Sequence, residues 1–238
     1  MSGLVIVGSG GFGRETAQAA LAGGYSGPVL GFLDDNPALA GEQVGGLPVL
    51  GPIDSLHDRP DVDVVVATGR PDNYTSRPAL VARLGLPEER YARVVHPQAS
   101  LAPDTIVGPG SVILAGAVAT AGVRIGSHVA VMPHVILTHD VVVSDFATIA
   151  SAVALAGGTE VGRGAYLGSA TLVRQAVSIG SWAMTGMGSM VLADVPARRL
   201  WFGSPASDRG PSPAAEYRDD LDFDVEAGGQ EGPKGESE

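Results

Sequence analysis

Hydrophobic and small residues recur every six positions between Val95 and Val195, with no insertion or deletion in the run. With Val95 as the first position of a hexad, fifteen of the seventeen leading residues are Ile, Leu or Val, and only Ala119 and Thr185 depart. The residue four places further on is Ala, Ser, Thr or Val in all seventeen hexads. Neither the 3.6-residue period of a helix nor the two-residue period of a simple strand keeps this register.

A six-residue period is typical of a β-helix, in which short strands wind around a triangular prism. Three sides make one coil, so eighteen residues complete a turn. The leading aliphatic side chains are then predicted to fill the prism, and the small residues to face inward near its corners. The pattern predicts an all-β hexapeptide-repeat domain over residues 94–206.

Residues 1–93 lie outside this register and alternate apolar runs with helical stretches. The apolar runs at residues 4–7, 29–33 and 62–68 are typical of buried parallel strands. Helices are predicted from residue 14 to about residue 22 and from about residue 76 to residue 84. The alternation predicts a small, Rossmann-like α/β domain with a parallel sheet.

Composition narrows the classes of function. The 238-residue chain has no cysteine, so it has no disulfide framework and no thiolate metal site. Residues 207–238 carry ten acidic and three basic side chains, and are predicted to form an acidic, disordered tail. We expect no nucleic-acid partner, because no basic stripe is present, and no membrane insertion. The amino-terminal residues read as a strand rather than a signal peptide, so a cytoplasmic location is expected.

Gly8, Gly10 and Gly13 form a G-x-G-x-x-G turn directly after a predicted strand and before a predicted helix. Backbone N–H groups and the helix dipole in such a turn favour a phosphate. Asp34 and Asp35 end the next strand, where carboxylates accept hydrogen bonds from ribose hydroxyls. A domain of about three strands has only one mononucleotide half, which favours a nucleotide-linked substrate over NAD. The alternative is a tight strand–helix turn that binds nothing.

His139 and Asp140 occupy the third and fourth places of their hexad, which are outward positions at a turn. Histidine titrates near neutral pH, and a neighbouring carboxylate holds its ring in one tautomer. Gly157 lies eighteen residues on, hence one coil along and about 4.8 Å away. Its N–H is a candidate donor to a developing oxyanion. The hypothesis is a base and an oxyanion donor that face one reacting carbonyl.

The other prism histidines, His128 and His134, are interpreted as ordinary polar turn residues on a solvated face. A zinc site like that of the hexapeptide-repeat carbonic anhydrases would need a third histidine two coils before His134, where this chain has Gln98. His96 is out of register with that position. No metal is therefore expected.

The combination of these motifs resembles the bacterial sugar O-/N-acyltransferases. That family includes NeuD-type sialic-acid O-acetyltransferase-like proteins and nucleotide 4-amino-sugar N-acetyltransferases. The resemblance rests on the GSGGFGRE turn, the GFLDDN strand end, T-H-D in the prism and a closing F-G-S-P-A, and it covers about residues 3–206. It implies a left-handed parallel β-helix and a homotrimer. It also implies acetyl-CoA bound between neighbouring prisms and a nucleotide-linked sugar bound by the amino-terminal domain.

The resemblance also implies roles for individual residues. His139 would be the general base, Asp140 its carboxylate partner, and Gly157 the backbone donor to the acetyl carbonyl. The implied substrate pocket comprises Gly8, Gly10, Gly11, Gly13, Asp34, Asp35, Gly69, Asn73 and Arg77. The implied acetyl-CoA site comprises Thr148, Gly157, Arg174, Gly203, Pro205 and Ala206.

Some positions depart from the family pattern. A second family histidine, nine residues after the base, is Thr148 here, and the positions of a frequent family histidine, glycine and lysine hold Phe12, Ser144 and Ser207. Lys234 is the only lysine, so contacts to CoA phosphates must fall to arginine. The candidates are Arg163, Arg174, Arg198 and Arg199.

The sequence thus predicts an acetyl-CoA-dependent acetyltransferase that acts by direct transfer on an amino or hydroxyl group of a nucleotide-linked sugar. Two alternatives belong to other classes. One is a catalytically silent scaffold that binds a nucleotide-linked sugar, which the change at Thr148 would favour. The other is a zinc-dependent hydratase. The sequence leaves open N- or O-acetylation, the sugar, the nucleotide, the acyl chain length and the role of the acidic tail.

Overall fold

The computed structural model of the chain describes residues 2–218. Its amino-terminal part is a three-stranded parallel sheet in the order β2-β1-β5, with a small hairpin and two helices. The strands are β1 (Leu4–Val7), β2 (Val29–Leu33), β3 (Gln43–Val44), β4 (Leu47–Pro48) and β5 (Asp63–Val66), and the helices are α1 (Gly11–Ala19) and α2 (Ser76–Leu84). A π-helical turn, Ala20–Gly24, continues α1, and short 3-10 turns occur at Pro37–Leu39, Ile53–Asp58 and Glu88–Arg90.

Strand β1 lies at the centre of this sheet, and all four of its residues are buried. Leu4 and Ile6 pack in the cluster that contains residues of α1, whereas Val5 and Val7 pack in the cluster that contains Leu84 of α2. Burial on both faces explains why the run is apolar throughout rather than alternating.

Seventeen two-residue strands then follow at intervals of six residues. They are β6 (Val94–Val95), β7 (Ser100–Leu101), β8 (Ile106–Val107), β9 (Val112–Ile113), β10 (Val118–Ala119), β11 (Arg124–Ile125), β12 (Ala130–Val131), β13 (Ile136–Leu137), β14 (Val142–Val143), β15 (Thr148–Ile149), β16 (Ala154–Leu155), β17 (Glu160–Val161), β18 (Tyr166–Leu167), β19 (Leu172–Val173), β20 (Ser178–Ile179), β21 (Met184–Thr185) and β22 (Met190–Val191). The final strands are β23 (Arg199–Gly203) and β24 (Ala206–Pro211).

These strands form three sheets of parallel strands, and each sheet is one face of a prism. Sheet I contains β7, β10, β13, β16, β19 and β22, and sheet II contains β8, β11, β14, β17 and β20. Sheet III contains β6, β9, β12, β15, β18 and β21, and is extended by β23 and β24. Successive two-residue strands within a sheet lie eighteen residues apart and pair in register, as Ala119 does with Leu137. The predicted hexapeptide-repeat β-helix is confirmed.

The leading residue of each hexad faces the inside of the prism, as predicted. The two leading residues that are not Ile, Leu or Val also face the inside of the prism. Ala119 is buried, and the buried Thr185 hydroxyl lies 3.1 Å from the Thr171 hydroxyl. Thr171 is one of the small residues at a corner, and its hydroxyl also donates to the Gly168 carbonyl. The hydroxyls of Thr185 and Thr171 are therefore tolerated in the prism because each has a hydrogen-bond partner.

The fourth residue of every hexad from Gly110 to Gly188 has a left-handed backbone, with φ between 55° and 72°. His128, His134 and Asp140 are among these residues. The turn at each corner is therefore set by position in the hexad, and the side chain there is free to vary.

The amino-terminal domain packs on sheet III. The outward residues Val94, Val112, Ala130 and Thr148 of that sheet are all buried. On sheet I, by contrast, the outward side chains of Ile136, Leu172 and Met190 are exposed.

The predicted disordered tail is wrong for residues 207–218. Strand β24 pairs with β23 in an antiparallel hairpin, and the chain then turns back onto the prism. The Ser212 hydroxyl donates to the Trp182 carbonyl at 2.8 Å, and Ala214 is buried beside the same residue. Backbone pairing and this burial offset the ordering entropy, which composition alone does not reveal. The remainder of the predicted tail, residues 219–238, lies outside the described residues. Within residues 2–218 no helix has the length and apolarity needed to cross a membrane.

Candidate active site

The corner between sheets I and II, here called the open corner (residues 138–141, 156–159 and 174–177), carries His139 and Asp140. His139 Nδ1 lies 2.9 Å from Asp140 Oδ2, and the two side chains are 68% and 74% exposed. A carboxylate at this distance favours the tautomer with a proton on Nδ1. The lone pair of Nε2 is then free to accept a proton.

Gly157 lies against the imidazole of His139, as the eighteen-residue spacing predicts. A Cβ atom added at Gly157 would overlap Cε1 and Nε2 of that ring. The N–H of Gly158 donates to the His139 carbonyl at 2.9 Å, which keeps the two coils in register. Glycine at position 157 thus brings the basic nitrogen beside a bare stretch of backbone.

Arg174 is an exposed residue of the open corner, one coil beyond Ala156. Within residues 2–218 it forms no ion pair with an acidic side chain. The other arginines named as candidates for CoA phosphates bind groups of the chain itself: Arg163 binds Asp145, Arg198 binds the Tyr217 carbonyl, and Arg199 binds Asp208. Arg174 therefore remains the candidate for an anionic ligand at this corner.

The glycine-rich turn opens onto a cavity of about 540 Å³, which we call the domain cavity. Gly10 and Gly11 line it at the start of α1, and a Cβ atom at either position would meet no atom within 4 Å. This volume lies in the range of sites for small ligands. The lining also includes Phe12, Arg70, Asp72 and Ser76, which sequence reasoning did not assign to the pocket.

Asp34 lies at the domain cavity, where its Oδ2 accepts hydrogen bonds from the Ser9 N–H at 2.9 Å and the Ser9 hydroxyl at 2.6 Å. Burial pushes the pKa of Asp34 up, but the hydrogen bonds from Ser9 and Asn36 outweigh it and hold the pKa below its usual value. Asp34 is therefore a carboxylate at neutral pH. Ser9 does not itself line the cavity but holds the cavity-lining Asp34 in place.

Three residues of the predicted substrate pocket do not line the domain cavity: Arg77, which is described below, and Asp35 and Gly13. Asp35 accepts hydrogen bonds from Arg83 at 2.7 Å and from the Ile53 N–H at 2.9 Å, and these bonds lower its pKa. Gly13 packs against the strand, because a Cβ atom there would overlap the Gly8 carbonyl. Asp35 and Gly13 shape the turn and its support rather than the cavity surface.

The far wall of the domain cavity is residues 69–76, which include Gly69 and Asn73 as predicted. Arg77, at the end of this wall, is only 1% exposed. Its guanidinium donates to the carbonyls of Thr68 and Phe146 and to the Thr148 hydroxyl. Burial lowers its pKa to about 10, which leaves it charged at neutral pH. Arg77 thus joins the wall to the prism.

Thr148 lies on sheet III rather than at the open corner. It is buried, and its Oγ1 accepts the hydrogen bond from Arg77 at 2.9 Å. Gly203, Pro205 and Ala206 also lie at the sheet III side, at the tip of the β23–β24 hairpin, where the Ser204–Pro205 peptide is cis. In one chain these residues are therefore separate from His139.

The domain cavity and the open corner lie on opposite sides of the prism within one chain. The amino-terminal domain covers sheet III, whereas His139 lies where sheets I and II meet. In a three-sided prism that corner is the one opposite sheet III.

The prism histidines do not converge. His134 lies at the corner between sheets III and I, one side away from His139, and is stacked over Gly116. Among residues 2–218 no three His, Cys, Asp or Glu side chains are grouped so as to hold a metal ion.

Known proteins share this architecture. Residues 3–82 match the family model of the PglD N-terminal domain. The acetyltransferase domain of PglB from Neisseria gonorrhoeae FA1090 has 30% sequence identity and a TM-score of 0.79, over 88% of this chain and 100% of that one. The chain belongs to the bacterial hexapeptide-repeat sugar acyltransferase family.

Further solved structures are similar to this chain in sequence and fold. The PglB domain has also been solved in complex with acetyl coenzyme A, at 29% identity, a TM-score of 0.78 and coverage of 87% of this acyltransferase and 98% of that chain. PerB from Caulobacter crescentus, solved in complex with CoA and GDP-perosamine, has 28% identity and a TM-score of 0.78 over 88% of this chain and 98% of its own. Comparison with curated proteins gives no match. The predicted fold class, a small α/β domain followed by a left-handed β-helix, is confirmed.

Proposed function

We propose that this acyltransferase moves an acetyl group from acetyl-CoA to an amino or hydroxyl group of a nucleotide-linked sugar, with His139 as the general base. The observation that carries the proposal is the open corner, where His139 Nδ1 is held 2.9 Å from Asp140 and the ring lies against Gly157. That arrangement combines a base with an adjacent backbone N–H.

The chemistry is a direct transfer. The sugar nitrogen or oxygen attacks the thioester carbonyl carbon while His139 Nε2 removes its proton. The Gly157 N–H donates to the oxyanion of the tetrahedral intermediate, and Asp140 stabilises the imidazolium. Collapse of the intermediate breaks the carbon–sulfur bond, and the proton on Nε2 passes to the CoA thiolate. No metal and no covalent enzyme intermediate take part.

We assign the sugar nucleotide to residues 1–93 and acyl transfer to residues 94–206. The helix start at Gly10 and Gly11 suits a phosphate, and the Asp34 carboxylate suits a hydroxyl or N–H donor of the ligand. The complex of PerB with GDP-perosamine supports a nucleotide-linked sugar as the ligand.

We assign acetyl-CoA to the open corner, which the complexes of the PglB domain and PerB support. Arg174 lies two coils beyond Thr138, a span of about 10 Å along the corner. A guanidinium there is placed for a phosphate group of CoA while the thioester lies beside Gly157.

We propose that the protein works as a homotrimer. The base and the domain cavity face opposite sides of one prism, so they can meet only between copies. The exposed apolar side chains of Ile136, Leu172 and Met190 on sheet I supply a surface for association. A neighbouring copy would also exclude water from His139, which is 68% exposed in the single chain.

The test is release of free CoA from acetyl-CoA in the presence of a panel of nucleotide-linked amino sugars. His139→Ala is expected to lower turnover by about 10²- to 10⁴-fold while the assembly stays intact. Turnover near the wild-type rate would contradict the role of His139. If the wild-type protein binds the sugar nucleotides but releases no CoA, the protein is a silent scaffold.

A further inference from the structure

The wall of the domain cavity, residues 69–76, is anchored outside its own domain. At one end Arg77 donates to Phe146 and Thr148 of the prism. At its middle Tyr74 lies between the cavity-lining Asn73 and the start of α2, yet only 2% of Tyr74 is exposed. The wall therefore depends on what holds these two side chains.

Tyr74 is held by the prism. Its hydroxyl donates to the Trp182 carbonyl at 3.0 Å, and its ring centre lies 5.6 Å from that of Tyr166. Burial raises the pKa of the Tyr74 phenol, so the hydroxyl keeps its proton and remains a donor. The contact joins residues 108 positions apart in the chain.

Residues 212–217, here called the C-terminal strap, complete this anchor. The Ser212 hydroxyl donates to the same Trp182 carbonyl, and the Tyr217 ring centre lies 4.7 Å from the Trp182 ring. Arg198 donates to the Tyr217 carbonyl at 2.6 Å. The strap thus covers Trp182 from outside while Tyr74 reaches it from the amino-terminal domain.

The two anchors of the wall lie on one corner of the prism. Phe146 and Trp182 both belong to the corner between sheets II and III, thirty-six residues and hence two coils apart. Two coils span about 10 Å, so the wall is fixed at two separated points on a rigid scaffold. A change at either point alters the placement of the cavity-lining side chains on residues 70–73.

We propose that the C-terminal strap and Tyr74 position the wall of the domain cavity and thereby set the affinity for the sugar nucleotide. The inference rests on the proposed function for the identity of the ligand. Tyr74, Ser212 and Tyr217 are positioning residues, because none of them lines the domain cavity. A purely structural role would affect overall stability and both substrates alike.

The experiment uses full-length protein carrying Tyr74→Phe or Ser212→Ala, each of which removes one hydrogen bond to the Trp182 carbonyl. Tyr25→Phe is the matched control, because its hydroxyl binds Ser2 and Asp63 within the amino-terminal domain, away from the cavity. Three quantities are measured: amide exchange of residues 69–76, binding of UDP and GDP by calorimetry, and the KM for acetyl-CoA.

Tyr74→Phe and Ser212→Ala are each expected to speed amide exchange in residues 69–76 and to weaken binding of the preferred nucleotide about three- to tenfold. The KM for acetyl-CoA stays at the wild-type value, and Tyr25→Phe matches wild type in amide exchange of the wall and in nucleotide binding. Wild-type exchange and wild-type nucleotide affinity in both Tyr74→Phe and Ser212→Ala would overturn the inference, as would equal losses of affinity for both substrates. Amide exchange needs no ligand. Faster exchange of residues 69–76 in a protein that binds neither nucleotide would therefore contradict the proposed substrate, and would leave the positioning role of Tyr74 and the strap intact.

Discussion

Two corners of the same prism carry histidines with opposite surroundings. At the open corner His139 is exposed, pairs with Asp140 and lies against a glycine. At the corner between sheets II and III, here called the covered corner (residues 126–129, 144–147 and 180–183), His128 is buried. Its ring stacks on Phe146 at 4.9 Å and meets the edge of Tyr91 at 4.6 Å.

The surroundings change the chemistry of the ring. Burial, together with the positive charges of Arg77 and Arg163, lowers the pKa of His128 to about 4. Such a ring is neutral across the working pH range and lacks access to a substrate. His128 is the fourth residue of its hexad and His139 the third, so place in the hexad and the covering domain together decide which ring is exposed. The solvated turn predicted for His128 is wrong, because the ring is buried.

The largest expected loss of turnover comes from a substitution that fills the space between Gly157 and the His139 ring at the open corner. Gly157→Ala places a methyl group where His139 Cε1 and Nε2 lie, so the ring must move. We expect turnover to fall about 100-fold, because a displacement of about 1 Å from the productive geometry costs that much. Steady-state assays of CoA release measure the loss.

A double variant shows whether the methyl group acts through the ring. In a His139→Ala background Gly157→Ala should add little further loss, because the displaced side chain is gone. Fully multiplicative losses would mean that Gly157 and His139 act independently, contrary to the arrangement at the open corner.

The next effect concerns stability at the covered corner. The folded pKa of His128, about 4, lies below the ordinary value of 6.5, so at intermediate pH the unfolded chain binds a proton that the folded chain does not. The free energy of unfolding should therefore fall by about 2 kcal/mol as the pH drops from 6.5 to 5. Denaturant titrations at the two pH values measure it.

Two variants separate His128 from other titrating groups. His128→Leu should remove most of this pH dependence, whereas His134→Gln, which alters an exposed histidine, should keep it. An unchanged slope in His128→Leu would show that the covered corner does not hold its histidine neutral.

A smaller effect is expected at the far end of the open corner. Arg174→Gln should raise the KM for acetyl-CoA about five- to tenfold with little change in kcat, because a charged hydrogen bond to phosphate is lost in the ground state and the transition state alike. Arg124→Gln, which changes an exposed arginine on sheet II, is the control. Equal KM values for acetyl-CoA in the two variants would remove Arg174 from the binding site.

Much of the fold could be predicted because the hexad repeat is itself the register of the sheets. The spacing of eighteen residues predicts that Gly157 lies against His139, and the structure has this contact. Local composition failed for residues 207–218, because their order depends on Trp182 and Tyr74, which are distant in sequence.

The candidate site was harder to predict where it depends on which way a side chain points and which partner it contacts. Asp34 and Asp35 are adjacent in the chain, yet Asp34 meets Ser9 at the domain cavity and Asp35 meets Arg83. Likewise Arg77 is bound by carbonyls of the prism, which no pattern of residue types reveals. Motif spacing identifies the turn, and the side-chain partners come only from the packing of the two domains.

The central claim is that the base and the sugar site of one reaction come from different copies. Two inactive variants test it: His139→Ala lacks the base, and Gly10→Phe places a ring at the domain cavity, where a Cβ atom on residue 10 has no protein atom within 4 Å. Each is expected to be inactive alone.

Co-expression and isolation of mixed assemblies, followed by the CoA-release assay, is the decisive measurement. If each site takes His139 from one copy and the cavity from its neighbour, random mixing restores about a quarter of wild-type activity. Mixed assemblies that form and stay inactive would contradict the account, because a site contained in one chain cannot be repaired by mixing.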